Sequence, residues 1–125
     1  MSHDIISDAL NAIMNIKRTG KKTIVVRRIS KLLIEVLKIA KKHGYLDYSL
    51  DNNTKELKIE IEKLNICKAI KPRFDVGIDE IDKYIKRYMP ARNFGIIIIS
   101  TSKGLMSHEE AYEKNIGGSL IAYFY

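Results

Sequence analysis

The amino-acid sequence predicts an α+β protein made of two small lobes, and three observations lead to that prediction. Its 125 residues suffice for one domain or for two small lobes that share an interface. Apolar residues recur with helical spacing in some segments and alternate with polar residues in others. Segments with the residue pattern of β-strands are more frequent in the second half of the chain. We expect an N-terminal helix-strand-helix-hairpin lobe at 1–63 and a mainly antiparallel β lobe with short helices at 64–125.

The N-terminal lobe is predicted to begin with a helix over 4–16. A short β-branched strand at 23–26 follows it. Ser30 is a suitable N-cap for a second helix, because an apolar stripe at helical spacing starts directly after it. Strands at 45–50 and 57–62 are joined by turn-forming residues and complete the lobe as a hairpin.

The C-terminal lobe is predicted to start with a strand at 66–70 that ends at Pro72. A short helix over 78–88 precedes Pro90, and the apolar run 96–99 is a buried strand. Ser107, with Glu three residues later, has the form of a capping box that opens another helix. The last predicted element is a strand over residues 119–125.

Composition and charge exclude several classes of protein. Hydrophobic residues make up 46% of the chain, so it can build a core and is not a disordered tail. The longest apolar runs are far shorter than the ~20 residues that a membrane span needs. The first residues do not have the pattern of a signal peptide. We expect a soluble, cytosolic protein without a membrane partner.

The formal net charge is +7, and most of the excess lies in the first fifty residues. A cluster of cations without intervening acids attracts polyanions through Coulomb forces and counterion release. The alternative is an ordinary solvated basic face. Charge alone leaves RNA, DNA and acidic lipid open as partners. The candidate phosphate contacts are Lys17, Arg18, Lys21, Lys22, Arg27, Arg28 and Lys31.

A hydroxyl-rich segment follows the buried strand at 96–99, and we expect it to form a loop. Its short side chains allow a ligand to approach the backbone, Lys103 suits a phosphate, and Gly104 permits a tight turn. These properties suit irregular or unpaired RNA. An ordinary Ser/Thr turn before a helix is the alternative. The candidate contacts are Ser100, Thr101, Ser102, Lys103 and Gly104.

Gly117 and Gly118 follow the last predicted helix, which ends in the segment 115–118. A helix C-cap requires only one glycine. The second glycine is explained by close approach of another backbone or of RNA. Both interpretations stay open at the level of sequence.

The chain lacks the motifs of a catalytic or metal site. One cysteine, Cys67, excludes an internal disulfide and a multi-cysteine zinc site, and its strand context makes it a small core residue. The three histidines are far apart, and no GxSxG, HExxH or phosphate-loop motif occurs. We predict no enzyme activity, no cofactor and no metal.

The C-terminal half contains the motifs STSKGLM at 100–106, EEA at 109–111 and NIGG at 115–118, followed by an aromatic terminal strand. In this order they resemble the universal ribosomal protein S-eight family of the small subunit. The spacing of residues 4–15 is similar to that of the family's first helix. The segments KHGY at 42–45, PRFDV at 72–76 and PARNFG at 90–95 resemble the archaeal and eukaryal branch. Ser119 departs from the acidic residue of bacterial members.

The resemblance implies a primary ribosomal RNA-binding protein in the cytoplasmic ribosome. Members dock on an irregular helix in the central domain of small-subunit rRNA and support assembly of the platform, next to other small-subunit proteins. The resemblance also adds Asn15 and Arg73 to the candidate RNA contacts. Some bacterial members bind their own operon's messenger RNA and repress its translation, which makes that RNA a further candidate partner.

Two alternatives from other classes stay open. A small nuclease or phosphoryl-handling enzyme would use the hydroxyl-rich segment, although no general base or metal cluster accompanies it. A DNA-binding protein would normally need a recognition helix. Both early predicted helices instead have strong apolar stripes that suit a core.

Overall fold

The computed structural model describes residues 5–70, 73, 75–90 and 94–125. Contacts between Cα atoms divide the chain into two compact units, Met1–Cys67 and Lys68–Tyr125. The α+β class and the antiparallel sheets are as predicted. The domain boundary proposed from sequence, between 63 and 64, stays a prediction. The predicted helix start at Asp4 and strand stop at Pro72 lie outside the described residues.

The first unit folds in the predicted order of helix, strand, helix and hairpin. The sheet order is β1-β3-β2, with β3 antiparallel to both neighbours. The first helix continues two residues beyond the predicted end. The elements are α1 (Ile5–Arg18), β1 (Thr23–Val26), α2 (Lys31–Lys42), β2 (Leu46–Asp51) and β3 (Glu56–Ile61).

Alternation along β3 separates a buried face from a solvent face. Leu57, Ile59 and Ile61 are buried, whereas the residues between them are exposed. Helix α1 buries Leu10 and Ile13 completely, and α2 buries its own apolar stripe in the same way. Both helices contact the sheet. Each element is therefore buried on the face that its sequence periodicity predicts.

Ser30 caps α2 as predicted. The backbone N–H of Leu33 donates to Ser30 Oγ at 3.1 Å, and Ser30 has extended backbone angles. Ser107 caps the last helix in the same manner, accepting from the N–H of Glu110 at 3.4 Å. Each cap satisfies a backbone N–H group that the first turn of a helix leaves without an intrahelical partner.

The second unit contains a five-stranded sheet with helices between its strands. Its strand order is β4-β8-β6-β7, and β5 also pairs with β8. Buried residues of β6, β8 and both helices form one apolar cluster that includes Ile81, Ile85, Ile97 and Leu120. The elements are β4 (Cys67–Ala69), β5 (Asp75–Val76), α3 (Ile81–Tyr88), β6 (Ile96–Thr101), β7 (Gly104–Ser107), α4 (His108–Lys114) and β8 (Gly118–Phe124).

The predicted loop over 100–104 is wrong, because this segment forms a hairpin. Strand β6 continues through Ser100 to Thr101, and the unpredicted β7 returns from Gly104. Cross-strand pairing joins Thr101 to Gly104 and Ser100 to Leu105. Only Ser102 and Lys103 lie between the strands. The two-residue strand β5 was not predicted either, since it depends on pairing with β8, more than forty residues away.

The C-cap interpretation of the paired glycines is wrong, since Asn115 ends α4 in the left-handed conformation with φ 52°. Neither Gly117 nor Gly118 has a positive φ. A Cβ at Gly117 would overlap the carbonyl oxygen of Val76, and one at Gly118 would overlap that of Ser100. Close approach of the protein's own backbone therefore explains both glycines.

We predict that Gly118→Ala destabilises the protein by about 1–3 kcal/mol, the usual range for overpacking at a tightly filled position. The methyl group would meet backbone atoms of Ser100, which cannot move without disturbing the pairing of β6 with β8. Denaturant unfolding of the full chain measures the effect.

Gly77→Ala is the matched control for this substitution. Its Cβ would meet the ends of the flexible Asp79 and Glu80 side chains, which can turn aside. Equal stability of the two variants would contradict the importance of close approach at Gly118.

Candidate nucleic-acid interface

The tip of the β6–β7 hairpin presents Ser102 and Lys103 to solvent. Both residues are exposed, as is Gly104, which has a φ of 105° that favours glycine. The strands below the tip rest on a buried base, because Ile96 to Ile99 are at most 2% exposed. The structure therefore places a short hydroxyl side chain and a lysine on a rigid support.

The hydroxyl of Thr101 is used within the hairpin. Thr101 Oγ1 donates to the carbonyl oxygen of Gly104 at 2.8 Å and accepts from the N–H of Lys103 at 3.1 Å. In contrast, Ser102 Oγ makes no hydrogen bond to any residue that the structure describes. The three neighbouring hydroxyls thus have different roles: Thr101 braces the turn, whereas the Ser102 hydroxyl is available to a ligand.

A row of paired residues crosses the sheet beside the hairpin. Ser100 pairs with Leu105 on one side and with Ser119 on the other, and Ser119 pairs with Asp75. Directly paired residues project from the same face of a sheet. The Ser119 hydroxyl donates to Asp75 Oδ1. The row therefore places a carboxylate and two hydroxyls next to one another.

Sequence reasoning did not identify Asp75 as part of this row, and it treated Ser119 only as a departure from a family pattern. Asp75 and Ser119 are 44 positions apart. No local motif connects them, and only the strand register reveals their contact. Gly117 and Gly118 lie at the same end of β8. Packing against the protein's own backbone explains why both positions need glycine. Direct contact of these glycines with RNA stays a prediction.

The basic cluster of the first unit follows one continuous stretch of chain. Lys17 and Arg18 end α1, Lys21 and Lys22 precede β1, Arg27 and Arg28 follow β1, and Lys31 begins α2. All seven candidate cations are exposed except Lys17, which is half-buried. Arg28 contacts Asp8 in the first turn of α1, whereas Lys17 and Arg18 lie in its last turn, so the predicted set is spread over both ends of that helix.

Two members of this cluster have partners within the unit. Arg28 Nη1 lies 3.4 Å from Asp8 Oδ2, and Arg18 donates to the amide oxygen of Asn15 at 3.4 Å. Both contacts are exposed, so each contributes little to stability. The remaining cations have no acidic partner within the described ranges. They are Lys17, Lys21, Lys22, Arg27 and Lys31.

Lys31 occupies an electrostatically unfavourable position. It is the first residue of α2, whose first turn contains no acid. A helix N-terminus carries partial positive charge and favours anions, so a cation there gains no support from the helix dipole. Lys17 and Arg18 instead lie in the last turn of α1, where the dipole favours them. The N-terminus of α2 is therefore the more anion-attracting end of the cluster.

Arg73 is exposed and lies two residues before β5. It belongs to the second unit, apart in sequence from the basic cluster. No contact of its side chain with another described residue supports or opposes its predicted role, so that role stays a prediction.

The two described histidines, His43 and His108, have structural surroundings. His108 is 5% exposed, and its Nδ1 accepts from the N–H of Ile97 at 3.2 Å. His43 follows α2 as its C-cap residue. No group of three or more possible metal ligands occurs among the residues searched, 5–70, 73, 75–90 and 94–125. Within the same ranges, no helix is both long and apolar enough to cross a membrane.

Cys67 is a core residue, as predicted. It is 3% exposed, and its Sγ donates to the carbonyl oxygen of Leu10 at 3.7 Å. Burial raises the pKa of the thiol to about 12. Because the thiolate is the reactive species, the folded protein keeps Cys67 in its unreactive form at neutral pH.

Comparison with known proteins identifies the class as ribosomal. The family model described as ribosomal protein S8 matches residues 4–125. The chain is 38% identical over 125 residues to "Small ribosomal subunit protein uS8" of Kluyveromyces marxianus and 39% identical to uS8A of Saccharomyces cerevisiae. Each match covers 97% of this chain and 96% of the relative.

The chain belongs to the ribosomal protein S8 family. Its similarity to the yeast proteins agrees with the predicted archaeal and eukaryal type. Membership confirms the resemblance found in the sequence and makes the chain a structural ribosomal protein, not an enzyme. The nuclease alternative is therefore dropped.

We predict that Cys67 resists alkylation by iodoacetamide at pH 8 in the folded protein and reacts rapidly in denaturant. Unfolding returns the thiol to water, where its pKa falls to about 8.5. Mass spectrometry of the intact chain measures the modification, with Cys67→Ala as the unlabelled control. If the folded protein reacted with iodoacetamide as fast as the unfolded chain, the Cys67 thiol would be accessible and the prediction would be wrong.

Proposed function

We propose that this chain is a primary RNA-binding protein of the small ribosomal subunit. The observation that supports this best is the braced hairpin tip, where Ser102 and Lys103 are exposed above a buried strand. The tip is held by the two hydrogen bonds of Thr101. A rigid surface of short side chains fits an irregular RNA helix, whose splayed bases and 2′-hydroxyls are recognised by shape and edge contacts.

The basic cluster of the first unit supplies the phosphate contacts. Six of its seven cations have no acidic partner among the described residues, and they carry charge that a polyanion can neutralise. Binding of this kind releases counterions and adds affinity without sequence specificity. The hairpin tip and the cluster therefore have complementary roles, because base contacts specify a site and phosphate contacts position the protein on it.

The RNA partner we propose is an irregular helix in the central domain of small-subunit rRNA, and binding there supports assembly of the platform. The relatives are named as small-subunit proteins, which is consistent with this partner. Neighbouring small-subunit proteins are further partners. The chain's own operon mRNA would bind the same surface where it presents a similar stem.

A DNA-binding function is less consistent with the structure. The apolar stripes of α1 and α2 are buried against the sheet of the first unit, and neither helix projects as a free recognition helix. A competition assay tests this point directly. An rRNA fragment containing the irregular stem should displace the protein from duplex DNA, whereas preference for the duplex would overturn the proposal.

We predict that Ser102→Ala weakens binding to that rRNA fragment by about 1–3 kcal/mol and leaves unfolding unchanged. The substitution removes a hydroxyl that has no described partner in the protein, and the RNA group that it contacts would stay unsatisfied on binding. Thr101→Ala should weaken binding as well, because the turn loses its brace. Filter binding and isothermal calorimetry measure the affinities.

Two variants control this experiment. Thr101→Ser retains the hydroxyl and should bind almost like the unmodified chain. Ser49→Ala alters another exposed serine, which lies in β2 of the first unit. Full affinity of both Ser102→Ala and Thr101→Ala, with the fold intact, would remove the hairpin from the site.

We predict a steep dependence of rRNA affinity on salt. If about five phosphates are neutralised, log affinity should fall against log salt with a slope near −4. The double substitution Lys21→Ala and Lys22→Ala should reduce the magnitude of that slope by about 2. Binding titrations at several salt concentrations measure both slopes.

Lys41→Ala with Lys58→Ala is the matched double control. These lysines belong to the same unit, but each is paired with an acid, at 3.0 Å to Asp47 and 3.6 Å to Glu60. Their removal should change the slope less. An equal change in both double variants would show that general charge, not the basic cluster, attracts the RNA.

A further inference from the structure

A chain of five aromatic rings runs along the second unit, and neither the hairpin tip nor the basic cluster includes it. Tyr84 stacks on Tyr88, Tyr88 on Tyr123 and Tyr123 on Tyr125, with centroid separations of 6.4, 5.0 and 6.2 Å. Phe94 lies 6.3 Å from Tyr125 at a tilt of 53°. We call these five residues the aromatic ladder. The tyrosines pack against the apolar core, and Phe94 forms one end.

Phe94 differs from the tyrosines in its exposure. The four tyrosines are half-buried, whereas 48% of Phe94 is exposed. Isolated exposed apolar residues are common on protein surfaces and need no explanation. Phe94 is not isolated, because its tilted ring lies next to Tyr125 at the end of a stack that is anchored in the core. Its exposed ring therefore offers a flat apolar surface at the end of that stack.

The backbone beside Phe94 is held closely. Gly95 has a φ of 113°, and a Cβ there would lie 2.6 Å from the carbonyl oxygen of Phe124 and 2.7 Å from Cβ of Tyr125. Only glycine permits this approach to the end of β8. The position of Phe94 next to Tyr125 thus follows from backbone packing. A ring fixed in this way loses little conformational entropy when a ligand stacks on it.

Two cations of α3 lie over rings of the ladder. Lys83 Nζ lies 5.9 Å from the centroid of Tyr84, and the Arg87 guanidinium carbon lies 5.8 Å from that of Tyr88. Both cations are exposed. Asp82 is an acid on the same helix, and Lys86 lies 3.6 Å from its carboxylate. The other end of the ladder therefore presents two cations that suit phosphate groups.

We propose that the aromatic ladder binds single-stranded RNA, with an unpaired base stacked on Phe94 and the phosphates of the same strand near Lys83 and Arg87. Stacking on aromatic rings together with cationic contacts to the backbone is the usual chemistry of single-strand recognition. The ladder is four ring-to-ring steps long, so a strand of several nucleotides is needed to reach from Phe94 to the cations. The aromatic ladder is separate from the hairpin tip. This proposal rests on the proposed function only in that the partner is RNA.

The test uses the full chain and a single-stranded RNA of about ten nucleotides, within the known range of site sizes, that contains 2-aminopurine. Stacking of this base on a ring quenches its fluorescence. Phe94→Ala should abolish the quenching and weaken binding at least roughly fivefold, the lower end for one stacked base. Phe94→Trp should retain both. The double substitution Lys83→Ala and Arg87→Ala should weaken binding. At saturating protein, its quenching of 2-aminopurine should equal that of the unmodified chain.

Tyr112→Ala is the matched control, since Tyr112 is an exposed aromatic residue of the same unit, 41% exposed, and its ring contacts His108. It should bind the single strand normally. Thermal unfolding checks that Phe94→Ala is folded. Phe94→Trp tests the aromatic ladder while it keeps an aromatic ring at position 94.

The outcomes distinguish this proposal from the rRNA function. Loss of single-strand binding in Phe94→Ala, with Ser102→Ala unaffected, supports the ladder even if the hairpin tip does not bind rRNA. Unchanged quenching in Phe94→Ala overturns the ladder and leaves the hairpin proposal intact. The proposal would also be overturned if Phe94→Ala bound RNA normally but was poorly incorporated into small subunits. The aromatic ladder would then contact a protein.

Discussion

The close packing of β8 between β5 and β6 is the constraint on which the second unit depends. Gly117 lies against the carbonyl of Val76 and Gly118 against that of Ser100, with no space for a Cβ at either position. This packing allows a two-residue strand to join the sheet and places Asp75, Ser119 and Ser100 in one row. It also fixes the base of the β6–β7 hairpin. The glycines therefore act on the candidate site through the backbone, whether or not they touch RNA.

The hairpin separates groups that maintain its shape from groups that are available for binding. Thr101 satisfies two backbone groups of the turn, and Ser102 and Lys103 remain at the surface. A ligand that meets such a turn does not have to order it first, so less binding free energy is lost to conformational entropy. The same logic applies to Phe94, which Gly95 holds against the end of β8. In both places a glycine with positive φ lies beside an exposed residue that we propose as a contact.

Local signals in the sequence were sufficient for the helices and for the N-caps of α2 and α4. The caps at Ser30 and Ser107 each depend on a hydrogen bond three residues along the chain, so a short motif contains all the information needed. Strand β5 and the Asp75–Ser119 contact depend instead on pairing between distant segments, which no local pattern records. The hydroxyl-rich segment was misjudged for a similar reason. Its Ser and Thr residues are typical of turns, but pairing with β7 extends the strand through Thr101.

The same distinction between local and distant information applies to charge. The basic cluster could be predicted because its members are close in sequence, and most remain without acidic partners where the structure describes them. The predicted helix bounds and the Ser30 cap also indicate how the two helices divide these cations. The dipole of α1 stabilises Lys17 and Arg18, whereas Lys31 lies at the positive end of α2. A phosphate near Lys31 would gain from the cation and from the helix N-terminus together. A position that gives no advantage to the free protein is thus consistent with the phosphate contact that we propose for Lys31.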